Sequence, residues 1–579
     1  MAAHPTASPP LASAELPVSG VAPTGPHRRA VLDPLLWIGG ALVAAAAVLP
    51  HGPLAAAVAA AGGAPDLARG FLLLRLVLAA TGLLLAGTAY WQLGRNSVGL
   101  VRLPLPARVS MLRSDALAVG ALVLLAAALR VPALNAQYWI DEMFTVVEFV
   151  RPSFIAIVTS FESQNNHPLY SLLANAAVAV LGESPWVLRL PALLFGVASI
   201  GAVYWLAVQI TDRTEALLAT ALLAVSYHHV WFSQNARSYT ALLFFTLVGT
   251  GLFLRLCRER TGDARSTALA YAAFMTLAVY AHMTAALIVC AHFLVWAVAV
   301  SVRGRWQDAW RSAPAFAVAL AGALSLCVYA PGLGHIASGL GGAGEQVDMV
   351  WKNPLWMLME TVRGLARGVP GGVPALAIAA IAPVAGLVSY ARRDPVITAL
   401  MIAPGILTAA LLVATAHNLW PRFFFFAAGF VILVVVRGVF ALAAAQRLVT
   451  PRTLGALVVA LLVAGSALLL PAAWAPKQQF VEAMDHIERA RAPGDVVAVT
   501  GIADWVYHDF YPTDWTSVED AGTLRRLASA PGRTWLIHIM PELIAARTPE
   551  LWAAVEEFDE VATYRGTLAG GTIHIGVSR

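Results

Sequence analysis

Residues 453–474 read TLGALVVALLVAGSALLLPAAW, a run with no charged side chain. A helix rises 1.5 Å per residue, so about 20 such residues cross a hydrocarbon layer of about 30 Å. Arg452 stands directly before the run, and the composition changes beyond it. Residues 475–579 carry 9 Lys/Arg and 15 Asp/Glu, a net of −6, whereas residues 1–474 carry 29 and 18, a net of +11. The run therefore closes a membrane-embedded part and leads into an acidic soluble tail domain, 475–579. This charge split argues against nucleic acid as a partner.

Working outward, the same ruler finds about thirteen spans, near 33–50, 71–93, 115–133, 187–210, 215–232, 239–256, 266–281, 283–301, 313–332, 372–390, 395–416, 423–441 and 453–474. Segment 167–182 is apolar but short, and reads as an interfacial or re-entrant helix. Only 12% of the chain is charged, against roughly 25% for a soluble domain. The chain is thus an α-helical polytopic membrane protein with the bilayer as its solvent. The first 27 residues, rich in Pro, Ala, Ser and Thr, read as a disordered tail and not a signal peptide. Cys257, Cys290 and Cys327 lie in or beside apolar runs without metal-ligand spacing, and read as small apolar fillers.

Basic residues orient the spans. With the N-terminus inside, every inner loop holds at least one arginine, and these loops together hold 19 of the 29 basic residues before 475. The expected organisation is a cytoplasmic tail (1–30), two N-terminal helices and a cytoplasmic loop (31–114), a membrane core (115–474) and an extracytoplasmic tail domain (475–579). Two outer loops, 134–186 and 333–371, are long, and each holds an amphipathic stretch (Phe144–Ile157 and Trp351–Leu365) suited to the interface. In the tail, 496–499, 535–539 and 572–575 read as strands, while 480–489, 521–528 and 548–558 read as helices.

The polar groups that carry chemistry collect at the outer ends of these spans. Tyr138-Trp139-Ile140-Asp141-Glu142 sets two carboxylates beside an aromatic belt pair. They read either as an interfacial cap or as a catalytic base able to take a proton from a hydroxyl. Asn165-Asn166-His167-Pro168-Leu169-Tyr170, Ser233 to Tyr239, Tyr280-Ala281-His282 and Asn418 to Phe423 fall on the same side. Two arginines there, Arg237 and Arg422, suit a bound anion, because guanidinium forks match phosphate oxygens. His167 and His282 have three readings: phosphate binding, metal ligation or a core hydrogen bond. His228-His229 reads as packing. Phe423–Phe426 reads as lipid-facing or core surface, with a groove for an isoprenoid chain as the other reading. Trp351 and Lys352 are candidates for touching lipid or phosphate, and Gly339, Gly341, Gly342 and Gly344 give mobility to the loop at 345–365.

Taken in order, these motifs, with Gly182-Glu183-Ser184-Pro185-Trp186-Val187-Leu188-Arg189-Leu190-Pro191, resemble the GT-C glycosyltransferases. Within them the likeness is to the family 39-like bacterial group related to protein O-mannosyltransferases and lipid A aminoarabinose transferases. It covers about 115–475, with a weaker likeness in the tail domain. The resemblance implies a GT-C fold in a bacterial plasma membrane, with the active site outside. It also implies a hexosyl or pentosyl donor on a polyprenyl phosphate, a glycan, lipid or protein acceptor, and inversion by a single displacement. Carried over, Asp141 is the base with Glu142 supporting it. Arg237 and Arg422 hold the lipid phosphate and His167 assists; Tyr239 and Lys352 are further candidates for the donor phosphate, and Asn166, Tyr170 and His282 for lining the site. No cofactor is certain; a divalent metal stays open, with His167 and His282 as weak candidate ligands. Two departures stand out: Leu169 follows Pro168 where the family often has a second proline, and Phe423 replaces a tyrosine beside Arg422. The competing readings are a transporter or flippase of lipid-linked sugars, which should show internal repeats, and a non-catalytic envelope-assembly subunit, which should have lost the acid or the arginines.

Overall fold

The computed structural model describes residues 33–64, 67–95, 99–101, 113–161, 165–258, 264–333, 336, 350–567 and 570–579. The expected disordered tail, Arg102, Arg108 and Arg260 of the inner loops, and the glycines and acidic start of the loop at 339–348 lie outside those residues. All thirteen expected spans coincide with helix. Among the described residues, nine helices are long and apolar enough to cross a membrane, or up to eleven if each of two bent pairs forms one span. Pro34–Val48 with His51–Ala60 bends by 78°, and Arg213–Ala224 with Tyr227–Ser233 by 55°. Pro50 stands at the first break, where its ring prevents the preceding helix from continuing. The remaining two expected segments are Arg113–Arg130, with charges at Arg113, Asp115 and Arg130, and the 17-residue Arg265–Ala281. The protein is a multi-pass membrane protein.

Close helix approach in the core depends on glycine. A Cβ on Gly386 would lie 2.0 Å from the Val434 carbonyl oxygen, and one on Gly438 would lie 1.7 Å from that of Ala382. Helices Ile381–Arg393 and Ala428–Ala443 therefore meet backbone to backbone, as small residues allow in membranes. Segment 167–182 forms the 14-residue helix Pro168–Leu181. At about 21 Å it is too short to span the layer.

The tail folds into a five-stranded sheet of order β2-β1-β3-β5-β4, with β1 Val496–Thr500, β2 Thr516–Val518, β3 Thr534–Ile539, β4 Asp559–Tyr564 and β5 Ile573–Val577. Pairs β1–β2 and β1–β3 are parallel, and β3–β5 and β4–β5 antiparallel. The three expected strands are the inner ones. β2 is only three residues long, and the edge strand β4 is largely exposed. Helices Phe480–Ala490 and Ala521–Ala528 match expectation, and Pro549–Val555 is a shorter version of the third.

This domain rests on the first long outer loop. Trp139, Ile140 and Met143 are buried with Phe480, Val497, Val506, Tyr507 and Ile537 in one apolar cluster. Phe144 stacks on Trp505 at 4.0 Å between centroids. The acidic pair thus lies between the membrane core and the α/β domain.

Candidate active site

Asp141 and Glu142 occupy the first turn of the short helix Ile140–Phe144, which continues as a π-helix over Thr145–Val150. Five residues of α-helix cannot hold themselves in place, so the surroundings must do it. Glu142 is fully buried, and its carboxylate receives Arg189 in a two-point contact, Nε to Oε1 at 2.8 Å and Nη2 to Oε2 at 2.7 Å. It also accepts from the backbone N–H of Ala236 at 2.6 Å and of Trp139 at 3.3 Å. Lys477 Nζ lies 3.6 Å away. Burial opposes ionisation of Glu142, but Arg189, Lys477 and these hydrogen bonds prevail and hold its carboxyl below the usual range. Burial pushes the Lys477 ammonium down to about 7, with Glu142 acting against that shift.

Asp141 has a different environment. Its Oδ2 lies 3.2 Å from Arg422 Nη2, an ion pair without a well-directed hydrogen bond to that oxygen. Arg422 enters from the 3-10 turn Pro421–Ala427 that begins its span. Its guanidinium lies over the rings of Trp420 (4.7 Å) and Trp139 (5.9 Å), with about a fifth of the side chain exposed. Arg422 can therefore reach both Asp141 and an arriving anion.

Arg237 is buried. Its Nη1 donates to Thr145 Oγ1 at 2.9 Å and to the Asn165 carbonyl at 3.1 Å, and Nη2 donates to Asn165 Oδ1 at 3.1 Å. The rings of His167, His282 and Tyr239 form a triangle with centroid separations of 4.7, 5.6 and 5.8 Å. Burial, then Arg237, drive both histidines toward the neutral form, His282 to about 3; a hydrogen bond to the Ala281 carbonyl opposes the shift at His167. His282 Nδ1 accepts from the Thr284 backbone N–H at 3.3 Å, so the proton of the neutral ring sits on Nε2.

Buried polar atoms without a protein hydrogen-bond partner gather here. They include Asp141 Oδ2, His167 Nε2, His282 Nε2, the Tyr239 hydroxyl and the Nε atoms of Arg237 and Arg422. Such atoms are costly in a packed interior and are typical of a functional site. The set is dominated by cations and neutral donors, which suits an anion. Among the described residues, no group of three or more His, Cys, Asp or Glu is placed to hold a metal. Arg237 and Arg422 stand near His167 and His282 and make this part of the site rich in positive charge.

Asn166, Tyr170 and Lys352 are the other expected site residues. Asn166 donates to the Ser160 carbonyl at 3.3 Å and leaves its Oδ1 unpartnered. Tyr170 donates its hydroxyl to the Leu188 carbonyl and packs with Val146, Val150 and Ala236, a structural position. Lys352 ends the turn Val350–Lys352, whose Trp351 lies 5.3 Å from Trp420, at the edge of the cluster. Arg189, Lys477, Thr145 and Asn165 are the contributors without an assigned role in the sequence. Arg189 falls in a quoted motif, and its position in the first turn of an apolar span was the one available signal.

A helical, multi-pass membrane body with a polar cluster at its helix ends, beneath a small α/β domain, defines the class. Within that class, residues 165–329 match the family model described as dolichyl-phosphate-mannose-protein mannosyltransferase. The match includes His167, Arg189, Arg237 and His282, and leaves Asp141 and Arg422 outside. Among solved structures, ArnT from Cupriavidus metallidurans in the apo state is 14% identical, covering 80% of this chain and 98% of that one, with a TM-score of 0.46. The oligosaccharyltransferase of Archaeoglobus fulgidus tethered with an acceptor peptide is 12% identical, covering 79% and 73%, with a TM-score of 0.44. Arabinosyltransferase EmbB from Mycobacterium smegmatis is 12% identical, covering 72% and 45%, with a TM-score of 0.42. No curated protein matches the chain. At these identities no residue role passes from those structures to this one.

Proposed function

We propose that the protein is a membrane glycosyltransferase that moves a sugar from a polyprenyl-phosphate donor to a hydroxyl of an extracytoplasmic glycan, lipid or protein. The observation that carries this reading is the Asp141–Arg422 pair, at 3.2 Å, set among unpartnered donors on Arg237, His282 and Tyr239. The family description for residues 165–329 supports the donor class. In this reading, residues 115–474 form the catalytic core, the N-terminus is cytoplasmic, and the active site and residues 475–579 face outward from a bacterial plasma membrane.

The chemistry is a single displacement. Asp141 takes the proton of the acceptor hydroxyl as its oxygen bonds to the anomeric carbon, and the carbon–oxygen bond to phosphate breaks from the opposite face, inverting the centre. The phosphate leaves with the bonding electrons, and Arg422, Arg237 and the His282 Nε2–H stabilise that charge. A leaving group of this kind requires no separate acid. Glu142, already saturated with partners, orients the helix that carries Asp141. The polar groups of the candidate site gather at helix ends, whereas a transporter's binding site is expected near the bilayer midplane.

The deciding experiment is a transfer assay in membranes with polyprenyl-phosphate sugars, comparing wild type with Asp141→Asn. Turnover by wild type and its loss in the variant is the expected result. Equal turnover by both removes Asp141 from the mechanism, and no turnover with any such donor overturns the donor assignment.

A further inference from the structure

The Lys477-Gln478 segment, which joins the last span to the α/β domain, makes a set of contacts that the proposed displacement does not itself require. Gln478 is fully buried, and its Oε1 accepts the backbone N–H of Ile140 at 2.9 Å. That N–H belongs to the first residue of the helix bearing Asp141, one of the helix-start donors that has no partner within the helix. The Gln478 Nε2 donates to the Gly571 carbonyl at 2.8 Å, on the approach to β5. One side chain thus joins the acidic helix to the sheet. Lys477, also buried, donates to the Gln234 carbonyl, lies 3.6 Å from Glu142 and sits 5.1 Å above the Trp231 ring. It thereby joins the acidic helix to the segment that leads into Arg237. Gln137 Nε2 to Glu482 Oε2 at 3.0 Å adds a third link between the loop and the tail domain.

We propose that Lys477 and Gln478 are positioning residues for Asp141, so that the C-terminal domain is part of the catalytic site and not a detachable lid. The inference rests on the transferase reading above. The helix Ile140–Phe144 is short, its start is capped from another domain, and its Glu142 anchor is shared with Lys477. Loosening that strap moves Asp141 relative to Arg422, which is held on a different element. The proposed phosphate contacts, Arg237 and Arg422, sit on other elements, and Arg237 is also held by Asn165, so they change less than Asp141 does.

The test uses full-length protein in membranes or detergent, with Lys477→Met, Lys477→Arg and Gln478→Leu compared with wild type. Two readouts are taken: steady-state transfer with a polyprenyl-phosphate sugar, and amide hydrogen exchange over 139–144 and 234–237. The expected result is a fall in kcat of tenfold or more for Lys477→Met and Gln478→Leu, with donor KM within threefold of wild type. Lys477→Arg keeps kcat within threefold, and exchange over 139–144 rises at least fivefold in Gln478→Leu. Unchanged kcat in both disabling variants overturns the proposal, as does a rise in donor KM with kcat intact. If Gln478→Leu fails to accumulate, the Lys477→Met and Lys477→Arg pair decides. If wild type turns over no such donor, the transferase reading falls, and the exchange readout still decides whether the strap holds the helix: unchanged exchange over 139–144 overturns it.

Discussion

Arg189 and Glu142 meet at 2.7 and 2.8 Å with both side chains fully buried. The remaining hydrogens of the guanidinium go to the carbonyls of Ala133, Leu134, Ala136 and Gln137. The pair thus fixes the end of one expected span, the start of another and the helix that carries Asp141.

Breaking this pair should unsettle the fold more than the chemistry. Removing one partner of a buried ion pair costs about 3–5 kcal/mol, because the other charge is left uncompensated. Glu142→Gln and Arg189→Met are expected to lower the thermal midpoint and the folded yield in detergent. Asp141→Asn, which disturbs only a partly exposed contact, should leave both near wild type. A Glu142→Gln protein as stable as wild type would contradict this assignment.

The histidine pair predicts a pH dependence. In the folded protein His282 titrates at about 3 and His167 is also pushed well down, both mainly by burial; the unfolded value is about 6.5. Above about pH 6.5 both states are neutral and no stability is lost. As pH falls below that, the unfolded chain takes up protons that the folded chain refuses, so stability declines at about 1.4 kcal/mol per pH unit for each histidine until the folded value is reached. A thermal midpoint measured from pH 7.5 to 4.5 should fall more steeply in wild type than in His282→Gln. Parallel curves would show that His282 is not held neutral.

The sequence showed clearly what depends on local composition. Spans are legible because twenty apolar residues have few other places to go, and the inner strands of the sheet because each is a short run rich in β-branched or aromatic residues. Eleven of the thirteen expected spans meet a length-and-apolarity criterion among the described residues if each bent pair counts as one; Arg113–Arg130 carries charge and Arg265–Ala281 is one turn shorter than a full span. The polar groups of the site were legible as residues, but their division of labour was not. Asp141 and Glu142 look alike in sequence, and only the chain's return at Arg189, 47 positions on, and at Lys477 separates a saturated anchor from a carboxylate facing Arg422. Contacts over such separations leave no local pattern. Edge strands β2 and β4 were missed for a related reason: one is three residues long, and the other is exposed and bulged at Glu560/Ala562.

The two arginines should separate in kinetics. Arg422 is partly exposed and pairs with Asp141, whereas Arg237 is buried and also braces Thr145 and Asn165. Arg422→Gln should raise donor KM at least tenfold, in keeping with the 1.5–3 kcal/mol of a charged hydrogen bond, with little change in folded yield. Arg237→Gln should raise KM and also reduce stability, because the outer loop loses its brace. The measurement is donor KM alongside the thermal midpoint. An Arg422→Gln enzyme with wild-type KM would place the phosphate elsewhere.

Glycine at the helix contact gives a prediction independent of any substrate. An added methyl at Gly438 would sit 1.7 Å from the Ala382 carbonyl oxygen, and 3.0 Å from the Gly386 backbone nitrogen. Neither neighbour is a flexible side-chain end, so the helices Ile381–Arg393 and Ala428–Ala443 must move apart. Overpacking of this kind costs about 1–3 kcal/mol. At Gly120, in the helix Arg113–Arg130, a Cβ would meet nothing within 4 Å, and alanine there should be neutral or stabilising by up to about 1 kcal/mol. Gly438→Ala is therefore expected to lower the thermal midpoint in detergent while Gly120→Ala holds or raises it. Because Ala428–Ala443 continues directly from the turn that carries Arg422, the Gly438→Ala protein should also lose transfer activity on warming at a lower temperature than wild type. If Gly438→Ala proves as stable as Gly120→Ala, the two helices do not meet backbone to backbone.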